Sequence, residues 1–436
     1  MSSAKKLKVL IIAMSANPEW HSVPLVGWSH SLALSKVCDA HLVTQIRNQD
    51  SIERFGWENG KEFTCIDTES LAKPIHKLSL LLRGGDALGW TTDTALESLI
   101  YPIFESKIWT QFKQQLIDGK FDIVHRITPI SPTAPSFLAQ KLRKINIPFV
   151  VGPLNGGVPW PKEFLEMQHK EKDWLNHLRN CYKLLPGYRS LRQNATAIIC
   201  GSKATLEQMP ANLQHKLIYQ PENGVDLERF YLKNSIYTEQ HLKLAFVGRL
   251  VPYKGCDIAI EAIAELAKAG KVTLDIYGSG PEEQRLATLI KNLELENYVT
   301  LYGNLPNTQL QNKLVTADIF LFPSIREFGG GAILEAMALG LVPIVLNYAG
   351  PAELVDDLCG YLVPMGKRTK IIKSIEVILN QIINDKPSLR KKRAVAIDKV
   401  ESMYTWSHKA EQDIEIYKWL LKKREKPVFF KEILKR

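Results

Sequence analysis

The chain has 436 residues, 45% apolar and 23% charged. That composition excludes disordered and fibrous classes and leaves room for two or three globular domains of roughly 100–200 residues. The net charge is +10, but residues 418–436 alone hold eight basic residues against two Glu; an excess gathered in a tail argues against nucleic acid as a partner, since a nucleic-acid-binding body carries its basic residues on a folded face.

Six cysteines at 38, 65, 181, 200, 256 and 359 form no C-x-x-C pair. Reduced thiols in a cytoplasmic protein are expected, with neither a zinc framework nor a disulfide scaffold. Lys5, Lys6 and Lys8 precede the apolar run 9–14, as in a secretory leader, but the run is short and Asn17-Pro18-Glu19 ends it. Its β-branched content predicts a buried parallel strand instead. No apolar run approaches the ~18 residues of a membrane-crossing helix.

From there short apolar strands alternate with helical stretches. A helix is predicted over 29–37 and strands over 40–44, 121–125, 149–152 and 197–200, with a helical run over 136–144. The polar stretch 233–241 reads as a linker. The alternation then restarts: strands over 244–247, 273–277, 299–302, 319–322 and 342–345, and helices over 256–270, 282–293, 307–316 and 332–339. Such alternation predicts an α/β protein with two doubly wound parallel-sheet domains. Ligands of open parallel sheets bind outside the carboxyl ends of the strands, so the residues just after each strand are the candidates, and a cleft between the two domains is the expected site.

After the strand 244–247 comes Gly248-Arg249-Leu250-Val251-Pro252-Tyr253-Lys254-Gly255. It lacks the Gly-Lys-Ser/Thr ending of a Walker loop. It does place the planar fork of Arg249 and the mobile point charge of Lys254 on one loop, a pair suited to a diphosphate. After 319–322 the chain reads Pro323-Ser-Ile-Arg-Glu327-Phe-Gly329-Gly330-Gly331-Ala332 and continues to Glu335 and Gly340. Glycines running into a helix start allow close backbone approach, and free N–H groups there bind anions. Glu327 and Glu335 would repel a phosphate, so each is expected to accept hydrogen bonds from hydroxyls such as those of a ribose and a sugar ring.

With these residues the sequence resembles the retaining glycosyltransferases of the family-four type, which have the GT-B fold. Glu222-Asn-Gly-Val-Asp226 with Phe230, the 248–255 loop, Tyr277-Gly278-Ser-Gly-Pro281, Leu301-Tyr-Gly303, the Glu327/Glu335 pair and Asn347-Tyr-Ala-Gly-Pro-Ala-Glu353 carry the resemblance over about residues 222–365. It implies two Rossmann-like domains facing across a cleft. The first, 1–232, would bind the acceptor and the second, 233–404, a nucleotide-sugar, with 405–436 as a helix returning to the first domain and a basic tail. It implies that Arg249 and Lys254 neutralise the donor diphosphate, that Glu335 holds the ribose, that Glu327 contacts the donor sugar, and that Gly248, Gly278 and the 329–332 amides line the donor site. Transfer would be retaining and metal-independent, with no cofactor beyond the co-substrate; no Asp-x-Asp is present.

The chain departs from the family pattern in three places. Glu327-Phe-Gly-Gly-Gly331 replaces the usual Glu-Gly-Phe-Gly, Trp28 replaces the second glycine after Gly27 in the acceptor loop, and Ile127 replaces the second histidine of a His-x-His, leaving His125. Trp28 is open to stacking on an acceptor or to core packing, and His125 to a catalytic or a structural role. Asn155, Gly156 and Gly157, in a flexible loop after a strand, are expected on the acceptor side. The stretch 172–192 and the tail, where aromatics lie among lysines, are candidates for an anionic membrane surface. The family's acceptors imply cell-surface polysaccharide or glycolipid synthesis. A nucleotide-sugar epimerase and a non-catalytic nucleotide-sugar-binding protein remain as alternatives.

Overall fold

The computed structural model describes residues 6–69, 90–170, 186–230 and 241–435. Residues 233–240 of the expected linker and 172–185 of the basic stretch lie outside the described residues. The chain divides into two compact units. One comprises Met1–Gly157, Asp173–Glu222 and Trp406–Arg436; the other comprises Val158–Lys172 and Asn223–Thr405. The division thus falls after Glu222, where an expected boundary at residue 232 would have left Asn223–Phe230 in the first unit. Those residues fold with the second: the Val225 amide donates to the Tyr404 carbonyl at 2.7 Å. The excursion Val158–Lys172 is unforeseen, and its Val158, Trp160 and Phe164 are buried.

In the first unit seven parallel strands, β1 (Lys8–Ala13), β2 (Asp39–Gln45), β3 (Phe63–Ile66), β4 (Ile123–Thr128), β5 (Phe149–Leu154), β6 (Ala197–Cys200) and β7 (Leu217–Tyr219), lie in the order β3-β2-β1-β4-β5-β6-β7. In the second, β8 (Leu242–Val247), β9 (Val272–Tyr277), β10 (Val299–Gly303), β11 (Ile319–Phe322), β12 (Val342–Leu346) and β13 (Tyr361–Val363) lie in the order β10-β9-β8-β11-β12-β13. Helices cover both faces of each sheet, which is why the strands read as unbroken apolar runs. Strand order reverses between β1 and β4 and again between β8 and β11. These switch points are where loops diverge and leave a crevice.

Among the helices that differ from expectation, two lie in the first unit. Val23–Val37 begins six residues before the predicted start, because Pro24 sits in its first turn, where its missing N–H costs nothing. Trp90–Ile117 was not foreseen. From residue 100 onward Ile100, Phe104, Ile108, Phe112 and Leu116 recur every fourth position and are all buried, a helical stripe visible in the sequence.

The first unit is closed by the helix Trp406–Leu420, whose Ala410, Ile416 and Tyr417 enter the same apolar cluster as Val9, Ile11 and Leu34. A buried polar network accompanies this packing. The His30 ring donates from Nε2 to Asp413 Oδ2 at 2.5 Å, and Gln220 Nε2 donates to Asp413 Oδ1 at 3.2 Å. Lys409 donates to the Pro221 carbonyl. Burial pulls the Lys409 ammonium down to about 8 against the opposing charges of Asp413 and Glu222. Burial works to raise the Asp413 carboxyl, but the charge and hydrogen bond of His30 outweigh it and hold the group below its ordinary range. Removing one member of such a network strands a buried cation and an unmet donor. Asp413→Ala is therefore expected to cost about 3–5 kcal/mol, read as a fall in the urea midpoint; a midpoint equal to wild type contradicts the role assigned to the network.

Candidate active site

The loops after β8 and β11 meet at the second unit's switch point. After β8, Gly248 N donates to Tyr277 O at 3.0 Å and Gly278 N to Gly303 O at 2.8 Å, which ties the carboxyl ends of β8, β9 and β10 together. Gly278 has φ +134°, and a Cβ there would lie 2.0 Å from the Gly248 carbonyl oxygen, so no side chain fits. The loop then forms a short 3-10 turn, Pro252–Lys254, ended by Gly255 at φ +71°. A Cβ on Gly255 would lie 2.3 Å from the Pro323 carbonyl oxygen. That bare approach lets the two loops touch, and the Ile325 amide donates to Tyr253 O at 2.8 Å across the same seam.

The seam brings together residues 73 positions apart: the Lys254 ammonium bonds the Glu327 carboxylate directly. Their side chains are only 19% and 14% exposed. Lys254 Nζ also lies 5.3 Å from the Phe322 ring centre, so its positive charge rests against an aromatic face. Arg249 is exposed at the end of β8.

Beyond Glu327, Gly329 is half-buried, and Gly330 takes a left-handed conformation that starts the helix Gly331–Ala338. Ile333 N and Leu334 N both turn back to Gly330 O, which leaves Gly331 and Ala332 as the first orphan amides of the helix. Asn223 packs against this start, its side chain 3.3 Å from where a Gly331 Cβ would be. Glu335 lies on the same helix. Burial pushes its carboxyl up to about 7, and the charge of Arg229 works the other way. The two acidic residues therefore differ: Glu327 is bonded to a cation, while Glu335 titrates near neutrality. The donor-side candidates Gly248, Gly278, Gly329, Gly330, Gly331, Ala332, Glu335, Arg249, Lys254 and Glu327 all fall on the β8, β9 and β11 ends or on the helix that follows them.

The first-unit candidates are placed differently. His125 is wholly buried; its Nδ1 accepts from Tyr417 OH at 2.6 Å and its Nε2–H donates to Gly152 O at 2.9 Å. Burial lowers it to about 4, so the ring is neutral with both nitrogens occupied. Of the two roles open to His125, this placement favours the structural one. Trp28 is likewise a core residue, 3% exposed and packed on Phe55 and Trp57 at 4.8 and 4.9 Å between ring centres. The expected acceptor loop around it is the first turns of a helix. Gly27 serves that helix's close approach to the chain after β1, since a Cβ would lie 2.1 Å from Ser15 O. Asn155 is buried, donates to Glu222 and accepts from Ser202 Oγ at 2.9 Å. The Gly156 amide and carbonyl both bond Thr205 Oγ1, and Gly157 O accepts from Gln208 Nε2 at 2.8 Å. These polar groups are engaged within the unit.

Sequence reasoning missed Arg326, Tyr348 and Trp160. The Arg326 guanidinium donates to Val158 O at 3.1 Å and lies over the rings of Trp160 and Phe328 at 5.1 and 5.2 Å. Tyr348 OH donates to Pro159 O at 2.8 Å. The sequence signals were the adjacency of Arg326 to Glu327 and the place of Tyr348 in the segment 347–353.

Residues 228–396 match the sequence profile of the family described as glycosyl transferases group 1. The putative colanic acid biosynthesis glycosyltransferase WcaL of Escherichia coli is 37% identical over 149 residues, which are 32% of this chain and 37% of WcaL. The amylovoran biosynthesis glycosyltransferase AmsK of Erwinia amylovora is 35% identical over 170 residues, 35% of this chain and 42% of AmsK. The chain thus spans about two fifths of the length of these curated relatives. Among solved structures, a glycosyltransferase from Rickettsia africae aligns with 97% of this chain and 100% of its own at TM-score 0.64 and 16% identity. Anabaena HepE in complex with UDP aligns with 94% and 99% at 0.63 and 16%. These likenesses show the fold: two parallel-sheet Rossmann-like domains of the GT-B class.

The raised Glu335 carboxyl yields a test. The folded chain holds this proton more tightly than the unfolded chain, whose value is the ordinary 4.5. Ionising it therefore costs stability as pH rises from 4.5 to about 7, and no further cost accrues above that. Glu335→Gln is expected to gain stability relative to wild type across that window and to hold the gain above it. Melting temperatures that run parallel at all pH values refute the assignment.

Proposed function

We propose that the protein is a retaining glycosyltransferase that moves a sugar from a nucleotide-diphosphate sugar to a saccharide or lipid-linked acceptor in cell-surface polysaccharide or glycolipid synthesis. The observation that carries this reading is the direct bond between Lys254 and Glu327 at the β8/β11 switch point, next to the orphan amides of a helix start. A diphosphate would draw on Arg249, Lys254 and the Gly331 and Ala332 amides; the ribose hydroxyls would donate to Glu335, and the sugar ring would meet Glu327.

In this reading the bond between the anomeric carbon and the diphosphate oxygen breaks as the acceptor oxygen bonds the same face. The acceptor's proton passes to the departing diphosphate oxygen. The negative charge that develops there meets fixed donors and cations, so no protein nucleophile and no bound metal is required. His125 has no part in it. Matches to colanic acid and amylovoran enzymes support the polysaccharide context.

The reading extends to a peripheral position on an anionic membrane surface. No described helix is long and apolar enough to cross a membrane. In the tail, Lys422, Lys423 and Arg424 are exposed and Val428 is 54% exposed, which supports attraction to anionic headgroups. The tail aromatics give no support: Phe429 packs on the core of the first unit and Phe430 stands edge-on to Tyr219 at 5.9 Å.

A panel of nucleotide-sugars should raise the melting temperature selectively, since a ligand that binds only the native state stabilises it. Arg249→Ala should lose about 2–4 kcal/mol of transition-state stabilisation, by analogy with removal of one oxyanion donor, read as kcat/KM with the selected donor. Unaltered kinetics remove Arg249 from the site.

A further inference from the structure

We propose that Trp160 is a positioning residue that sets the spacing between Lys254 and Glu327, and so the placement of Glu327 against the donor sugar. The proposal rests on the donor reading above.

Trp160 belongs to the excursion Val158–Lys172 and is 9% exposed. Its ring stands edge-on to Tyr253, 6.2 Å between centres at 88°, and Tyr253 immediately precedes Lys254. The Arg326 guanidinium also lies over this ring, 5.1 Å from its centre. Arg326 immediately precedes Glu327, and it lies as well over the ring of Phe328, which immediately follows Glu327, at 5.2 Å. One indole therefore touches the chain neighbours of both members of the ion pair. The excursion is pinned just before Trp160: Val158 O accepts from Arg326 Nε at 3.1 Å and Pro159 O from Tyr348 OH at 2.8 Å.

The physical need is clear from the side chains. Lys and Glu are long, and holding two such chains in one geometry costs rotamer entropy. A Trp has two rotatable bonds and a broad rigid surface, so it fixes a spacing at low entropic cost. Arg suits the same task because its planar fork stacks and donates at once. The two loops are not equally dependent on Trp160. Lys254 is also held by its amide bond to Val251 O at 3.1 Å and by the seam of Gly255 on Pro323. Glu327 has, besides Lys254, a long backbone contact from Gly350 N at 3.4 Å, so its alignment leans on the flanking Arg326 and Phe328. Loss of Trp160 should therefore spare the diphosphate grip and misplace the carboxylate at the sugar.

The test uses the full chain, with UDP and UDP-glucose as probes and GDP and GDP-mannose in parallel. Affinity for the nucleoside diphosphate is measured by calorimetry, and its slow release from the sugar nucleotide by a coupled assay. Trp160→Ala is expected to keep diphosphate affinity within about threefold and to slow release tenfold or more, while Trp160→Phe restores most of the rate. If the Ala variant does not fold, Arg326→Lys, which keeps the charge but loses the planar guanidinium over the two rings, should show the same split. An unchanged release rate overturns the proposal, as does a parallel loss of affinity and rate that Phe does not rescue. Lys254→Ala separates the two levels of failure. If it weakens diphosphate binding while Trp160→Ala changes nothing, only the role of Trp160 falls. If Lys254→Ala leaves diphosphate affinity intact, or the wild-type chain binds none of the probes, the donor reading falls and takes the proposal with it.

Discussion

The bond between Lys254 and Glu327 is the contact on which the candidate site depends. It exists because two loops, each an exit from a central strand, are brought within touching distance. The constraint behind it is steric: Gly255 presses bare backbone against Pro323, and any side chain there would force the loops apart. Once they touch, an ammonium and a carboxylate that are both mostly out of water have each other as the nearest compensation. The pair is also the arrangement that an incoming diphosphate would compete with, since its charge would draw the lysine away from the glutamate.

Much of this half of the molecule was legible in the sequence, for a physical reason. Strands buried on both faces carry unbroken apolar runs, so β8 and β11 announced themselves, and whatever follows such strands faces a crevice. Glycine before a helix, and Arg with Lys on one loop, are signals in the chain itself. The first half was harder to read. His125 and Trp28 sit in the right places along the chain, but the side chain of His125 faces Tyr417 and that of Trp28 packs against Phe55 and Trp57. A sequence period tells which residues share a face and not what lies opposite. The partners of His125, Asn155 and Arg326 are far away along the chain or belong to an excursion that no local pattern marks. The helix Trp90–Ile117 is a different kind of miss, because its four-residue apolar stripe was present and unread.

The two units also handle buried polarity differently. In the second, Lys254, Glu327 and Glu335 stay partly exposed on the loops and helix that follow β8 and β11. In the first, His30, Asp413, Lys409 and Gln220 are sealed and bonded to one another, and the buried His125 bonds Tyr417 and the Gly152 carbonyl. A sealed network of this kind stabilises only while every member is present, and it does so by enforcing one arrangement of helix and sheet.

That arrangement has a consequence for how the molecule comes into being. His30, on the helix Val23–Val37, is joined to Asp413, which is translated 383 residues later. The sheet can collect its early strands as they appear, yet part of one of its faces stays uncovered until the helix Trp406–Leu420 leaves the ribosome. A nascent chain of this protein must therefore shield that greasy surface while the intervening residues are made.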